Sequence, residues 1–241
     1  WIRKNVMRDL KFAQKEKNFM QAITHELKTP ISAIKINAQT LATRKVNDEQ
    51  KNNLLSNIIQ EANRQELLIE NILLSTQFEN KVQNNNFEQL NLGAIIDHTI
   101  IRFQTLHSNS EVQNNIPKSA EELNIKGIPD LLLIAFYNLV ENAHKYSLAN
   151  SERPKIDLNY RIQNQQICIE ISDSGIGIAK EELENIFNKF YRIGDEKNRT
   201  TKGSGLGLYI VKSIVDLHYG QIEVIQRKPS GCTFAVKFKK A

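Results

Sequence analysis

Val6-MRDLKFAQKEKNFMQAITHELKTPISAIKINAQT-Leu41 contains no glycine, and its only proline is Pro30. Within it Leu10, Ala13, Lys17, Met20, Thr24, Leu27, Ile31, Ile34, Ala38 and Leu41 recur at alternating steps of three and four. Such spacing forms the heptad seam of a long α-helix, here interrupted by Lys17 and Thr24. The polar run Thr43–Gln50 breaks the pattern and reads as a turn. A second seam follows through Leu55, Ile58, Ala62, Gln65, Ile69, Ile72 and Thr76. Two long helices with a short connection make an antiparallel hairpin. A lone hairpin leaves its apolar stripe half covered. Pairing of two chains into a four-helix bundle would cover it; packing against the rest of the same chain is the alternative.

Working outward, Glu79–Gln89 is rich in Asn and Gln and has no apolar period, as expected of a linker. Beyond it the pattern turns mixed. Asn91-Leu92-Gly93 can open a helix through Leu106. Leu123–Gly127 reads as a strand, and Pro129 can start a helix to about Tyr146. Lys155–Ile162 and Gln166–Ser172 alternate as paired strands do. Leu206–Leu217 is helical, and Gln221–Gln226 with Cys232–Phe238 forms a closing hairpin. The fold class is therefore α+β: a helical hairpin at residues 1–80, then an α/β sandwich at residues 88–241.

The 241 residues are 40% hydrophobic and 24% charged, an ordinary globular composition. Two cysteines far apart, Cys168 and Cys232, make no disulfide framework and no metal-ligand spacing, which points to a reducing compartment. The longest apolar runs, such as Leu131–Tyr137, are too short to cross a bilayer. The net charge of +5 comes from 32 basic and 27 acidic residues that are interspersed rather than clustered, so no nucleic-acid partner is expected. The opening Trp1-Ile2-Arg3-Lys4 reads either as the cytoplasmic edge of a membrane span or as an arbitrary boundary. A fragment is expected either way.

Chemistry-bearing residues gather in two places. His25-Glu26-Leu27-Lys28-Thr29-Pro30 lies on the first helix, with His25 and Thr29 four residues apart and off the seam. A solvent-facing imidazole that titrates near neutrality is available as a nucleophile, and Glu26 beside it can fix the tautomer and accept a proton. Pro30 removes the hydrogen bond its nitrogen would give to the Glu26 carbonyl, at a cost of about 3 kcal/mol in a helix interior. In the C-terminal half, Asn138, Asn142 and Lys145 share one helix face. Amide oxygens suit a hard cation such as Mg2+, and a neighbouring lysine suits phosphate. Asp173-Ser174-Gly175-Ile176-Gly177 ends a strand in a tight turn, where Asp173 can accept from an exocyclic amine. Gly203-Ser204-Gly205-Leu206-Gly207 opens a helix whose backbone amides can hold an anion. No acidic residue follows in a βαβ context, which argues against a dinucleotide fold, and no Gly-Lys-Ser/Thr phosphate loop is present.

The hexapeptide at His25 resembles the H-box of bacterial two-component sensor histidine kinases. The other motifs, with Ile186–Arg192 between them, resemble the N, G1, F and G2 boxes of their ATP-binding domain, in the gyrase, heat-shock chaperone and mismatch-repair superfamily. The resemblance spans Val6 to Phe238 and implies the cytoplasmic catalytic core of such a kinase. It would be a homodimer that autophosphorylates His25 from ATP and passes the phosphoryl group to an aspartate of a response regulator. Asn142 would coordinate Mg2+ with Asn138 in support, Lys145 would contact phosphate, and Tyr146 would lie against the nucleotide. Asp173 would read the adenine amino group, backed by Gly175 and Gly177. Arg192 would start a lid, Ile193–Lys202, hinged and cradled by Gly203, Gly205, Leu206 and Gly207. Phe187 and Phe190 would anchor its root or serve as plain core. Glu26 and Thr29 match the Glu-x-x-Thr that orients water for dephosphorylating the regulator. The family implies transmembrane and sensor segments upstream and an inner-membrane location for the whole protein. Ser174 replaces the commoner Asn, and Tyr219 interrupts the frequent His-Gly-Gly at His218-Tyr219-Gly220, read as structural. His98, His107 and His144 match no motif and are expected at the surface. An ATPase in which His25 is incidental, or a non-enzymatic dimeric scaffold, remains the alternative reading.

Overall fold

The computed structural model describes residues 2–79, 87–107, 110–118, 120–148, 151, 153–193, 204–227 and 230–241. Most of the expected linker, the lid from residue 194 onward, Lys202 and Gly203 lie outside them. Trp1–Thr76 and Lys202–Leu206 form one compact unit; Gln77–Thr201 and Gly207–Ala241 form the other.

The first unit is an antiparallel pair, α1 (Ile2–Thr43) and α2 (Asp48–Glu79). The turn is shorter than the polar run implied, because Asn47 caps α2 early. The Asn47 side-chain oxygen accepts from the Gln50 amide at 2.8 Å, and the Asn47 amide donates to the Gln50 side chain at 3.1 Å. This reciprocal capping box satisfies two donors at the helix start, where Asp48 and Glu49 also favour the positive end of the helix dipole. α1 runs on through Pro30. Among the described residues the hairpin buries Ile23, Pro30, Asn71 and Ser75. Seam residues Met20, Ile31, Leu55 and Ile69 stay 40–57% exposed, joined by Ile36, Ile59 and Leu73. The apolar seam is thus not the stripe that this chain covers by itself.

The second unit layers helices on a sheet. β1 (Glu88–Asn91) and β3 (Asn124–Gly127) form an antiparallel pair. A mixed five-stranded sheet has the order β2-β4-β5-β7-β6, from β2 (Glu111–Asn114), β4 (Lys155–Gln163), β5 (Gln166–Asp173), β6 (Gln221–Gln226) and β7 (Cys232–Lys239). Within it β2 and β4 run parallel, and β4–β5, β5–β7 and β6–β7 pair antiparallel. β1 and β2 were not expected; Glu88 and Gln89 belong to a strand rather than to the linker. The register sets Leu158 against Ile171, Ile171 against Phe234, Ile169 against Val236 and Ile167 against Phe238, so one sheet face is continuously apolar. Each such side chain contributes roughly 1.5–3 kcal/mol when fully buried.

Helices α3 (Leu92–Leu106), α4 (Pro129–Ser147) and α5 (Gly207–Leu217) complete the layer. Asn91 caps α3 through the Ala94 amide at 3.2 Å, and Pro129 sits in the first turn of α4, where a missing N–H costs nothing. Leu132, Phe136, Leu139 and Val140 on α4 and Ile210, Val211 and Ile214 on α5 are almost wholly buried. Phe136 meets Phe238 of β7 edge-on, with centroids 6.5 Å apart.

His218, just past α5, ties two parts of this layer together. Its Nδ1 donates to the Ile214 carbonyl at 2.7 Å, and its Nε2 accepts from the Ile128 amide at 2.9 Å. The second bond requires a neutral ring, and burial lowers the pKa below the ordinary 6.5, against the opposing pull of the Ile214 carbonyl. The unfolded chain therefore takes up the proton first as the pH falls. The stabilisation is complete above pH 6.5 and is lost progressively below it. Thermal unfolding at pH 7.5 and 5.5 is expected to give a lower midpoint at pH 5.5. His218→Gln, which does not titrate, should narrow that gap; an unchanged gap would remove His218 as its source.

Candidate nucleotide-binding site

Asp173, at the C-terminal end of β5, is 3% exposed. Its Oδ1 accepts the Gly175 amide at 2.8 Å and the Cys232 amide at 3.3 Å. Its Oδ2 accepts the Cys232 thiol proton at 2.8 Å. Burial, then the Asp173 carboxylate, drives the Cys232 pKa far above the ordinary thiol value, so the sulfur keeps the proton it donates. Three donors thus fix the carboxylate plane. The backbone around it is crowded. A Cβ on Gly231, whose φ is +93°, would lie 2.2 Å from the Asp173 carbonyl oxygen. A Cβ on Gly175 would lie 2.9 Å from both Asp173 Oδ1 and the Tyr146 carbonyl oxygen. Only glycine allows the strand end, the turn and the end of α4 to approach this closely.

The end of α4 is stapled to that turn. Ser147 Oγ, fully buried, accepts from the Ser174 amide at 3.1 Å. The last turn of α4 therefore places Tyr146 beside Asp173 and Gly175. Burial raises the Tyr146 pKa above its usual 10, while the nearby Arg192 guanidinium works against the rise. Lys145 Nζ stands 5.3 Å from the Tyr146 ring centroid. One turn back, Asn142 is half-exposed, and among the described residues its side-chain amide makes no hydrogen bond. Asn138 is buried, with Nδ2 donating to the Ile134 carbonyl at 2.9 Å, which turns Oδ1 toward the start of α5; a Cβ on Gly207 would meet it at 2.8 Å. The set fits a metal-bound triphosphate: the Asn142 amide oxygen, which accepts no hydrogen bond among the described residues, two cations nearby, and a helix start without side-chain bulk.

Of the remaining candidates, Gly177 and Gly205 have positive φ, +77° and +73°, and Leu206 is buried. Phe187 and Phe190 are half-buried, and Phe190 has a φ of +67°, uncommon for a bulky residue. Gly203 lies outside the described residues. Glu26 and Thr29 are on α1, half-buried and exposed respectively; His25 is on the same helix, and its side chain is outside the described set.

Two histidines depart from the expected surface position. His98 is exposed, but His144 is 8% exposed, and the His107 side chain 18%. His107 Nε2 lies 2.9 Å from Glu141 Oε2, and the two imidazole centroids are 4.2 Å apart. Ser110 Oγ and His144 Nδ1 share a hydrogen bond of 2.6 Å. This polar cluster joins the end of α3 to α4; no sequence spacing announces it, because its members come from separate elements. Cys232 was missed for the same reason.

Two family models match the chain: the His Kinase A (phospho-acceptor) domain over residues 15–81, and the histidine kinase-, DNA gyrase B- and HSP90-like ATPase over residues 127–241. The signal transduction histidine-protein kinase ArlS of Staphylococcus haemolyticus is 32% identical over 227 residues, 93% of this chain and 49% of its own length. The sensor-like histidine kinase SenX3 of Mycobacterium tuberculosis is 31% identical over 222 residues, 91% of this chain and 53% of its own. The chain therefore spans about half the length of these relatives. The nucleotide-free catalytic domain of histidine kinase ThkA superposes with a TM-score of 0.53 and 26% identity, covering 64% of this chain and 98% of that domain. A phospho-acceptor helical hairpin followed by a gyrase-like ATPase domain, with relatives matched across both, places the chain in the two-component sensor histidine kinases as their catalytic core.

Proposed function

We propose that this chain autophosphorylates His25 from ATP and hands the phosphoryl group to an aspartate of a response regulator. What carries the reading is the pairing, in one chain, of the His25-Glu26 turn on a proline-containing helix with the Asp173–Asn142 constellation of an ATPase domain. In the proposed step a ring nitrogen of His25 attacks the γ-phosphorus, the bond to the β,γ-bridging oxygen breaks, ADP leaves, and Glu26 takes the ring proton. Asp173 would orient adenine through its amino group, with Gly175 and Gly177 shaping the turn, and Tyr146 would lie against the nucleotide. Lys145 and Arg192 would offset triphosphate charge, and Gly203, Gly205, Leu206 and Gly207 would cradle it. Asn142, supported by Asn138, would hold Mg2+, whose contribution is neutralising phosphate charge. Glu26 and Thr29 would also serve the reverse reaction, dephosphorylation of the regulator.

The exposed apolar residues Met20, Ile31, Ile36, Leu55, Ile59, Ile69 and Leu73 favour a homodimer, in which a second hairpin covers them as a four-helix bundle. In this reading residues 1–80 are the dimerisation and phospho-acceptor domain and residues 88–241 the ATP-binding domain. Among the described residues no helix is long and apolar enough to cross a membrane. Because SenX3 is named a sensor-like histidine kinase and both relatives are about twice as long as this chain, our reading is that the chain is the cytoplasmic portion of an inner-membrane protein.

With γ-labelled ATP and Mg2+, wild-type protein is expected to acquire acid-labile, base-stable label. His25→Gln should retain about one hundredth of it or less, as when a reacting group is removed. Label at the wild-type level in that variant would overturn the reaction.

A further inference from the structure

The structure assigns Gln65 a positioning role that begins with a missing donor. In an α-helix the amide of residue 30 would donate to the carbonyl of residue 26, and Pro30 has no amide hydrogen. The Glu26 carbonyl is left without its intrahelical partner one residue from His25, in the middle of a helix and half-shielded from water. The Gln65 side chain reaches across from α2, its Nε2 donating to the Glu26 carbonyl oxygen at 3.4 Å. Gln65 is the polar interruption in the second seam, between Ala62 and Ile69, where packing alone calls for an apolar residue. Its amide supplies from the neighbouring helix the donor that proline removed.

We propose that this bond holds the His25-Glu26 turn in register for phosphoryl transfer. The Glu26 carbonyl belongs to the peptide plane between Glu26 and Leu27. Fixing that plane fixes the direction in which the Glu26 side chain, and His25 before it, leave the helix. The bond is longer than the usual 2.9–3.0 Å, so it contributes modestly to stability. Proximity effects respond steeply to small displacements, so its expected weight falls on rate. The inference rests on His25 as the phospho-acceptor, and the experiment separates the two.

Gln65→Leu keeps the seam filled and removes the donor. Its kcat for autophosphorylation should fall about fivefold, with KM for ATP within about twofold of wild type, because the nucleotide domain is untouched. In a Pro30→Ala background the new alanine amide serves the carbonyl, and the same Gln65→Leu exchange should change kcat by less than about 1.5-fold. A wild-type kcat for Gln65→Leu, an equal loss in both backgrounds, or a matching rise in KM would each overturn the proposal. If Pro30→Ala is itself inactive, thermal unfolding carries the same test. Gln65→Ala should then lower the midpoint in the Pro30 protein and leave it unchanged in the Pro30→Ala protein, equal shifts refuting the bond. If instead His25→Gln keeps its label, the proposed reaction fails, while the coupling between Gln65 and Pro30 in unfolding still stands or falls by itself.

Discussion

Asp173→Asn is expected to weaken ATP binding by about a hundredfold or more, a loss of roughly 2.7 kcal/mol. The carboxylate is an acceptor on every side, taking two backbone amides on Oδ1 and the Cys232 thiol on Oδ2. An asparagine cannot reproduce this in either orientation. With its NH2 at the Oδ1 position, it faces the Gly175 and Cys232 amides donor to donor. With its NH2 at the Oδ2 position, it meets the thiol proton and presents a donor to the adenine amino group. A buried donor left unpaired costs about 1–3 kcal/mol, and a hydrogen bond to a charged group contributes about 1.5–3 kcal/mol, so the combined loss reaches the stated range. Titration with a fluorescent ATP analogue checks it. Affinity within threefold of wild type would remove Asp173 from adenine recognition.

Gly231→Ala should be strongly destabilising to the second unit. The residue has a φ of +93°, and its Cβ would sit 2.2 Å from the Asp173 carbonyl oxygen, where backbone rather than a flexible side chain must give way. Conformational strain at such a φ costs of order 1–3 kcal/mol, and the overlap adds to it. A total near 3 kcal/mol lowers the unfolding midpoint of a domain this size by about 6–12 °C. The displacement also moves Cys232, and with it two of the three donors on Asp173, so nucleotide affinity should fall alongside stability. Circular dichroism melts and the same ATP titration measure both. A midpoint within 2 °C of wild type would show that the strand end yields freely.

The sequence made the long elements legible because their signals are long. The two seams span many turns, and β4, β5 and β7 each supply several inward apolar residues. β1 and β2 failed that test for a physical reason. Glu88-Gln89-Leu90-Asn91 buries only Leu90, and none of Glu111-Val112-Gln113-Asn114 is fully buried. Four residues with one apolar member carry no measurable period. The heptad seam was legible as a pattern but not as a partner, since α2 leaves much of it uncovered. The candidate nucleotide residues were legible because glycines and amides sit in short local motifs. Their supports were not. Cys232 lies 59 residues from Asp173 in the chain and reaches it only through the antiparallel pairing of β5 with β7. His107, His144 and Gln65 likewise acquire their partners only when separate helices meet.

The thiol beneath Asp173 also bears on inhibitor chemistry. Peroxides and electrophilic warheads react with thiolates, and Cys232 is held as a thiol by burial and by the carboxylate to which it donates. A cysteine in contact with the proposed adenine-binding carboxylate would ordinarily invite covalent targeting. Here the neighbour proposed to recognise adenine also keeps the sulfur protonated, so ligands of the Asp173 site are expected to act reversibly and Cys232 to react slowly with alkylating agents.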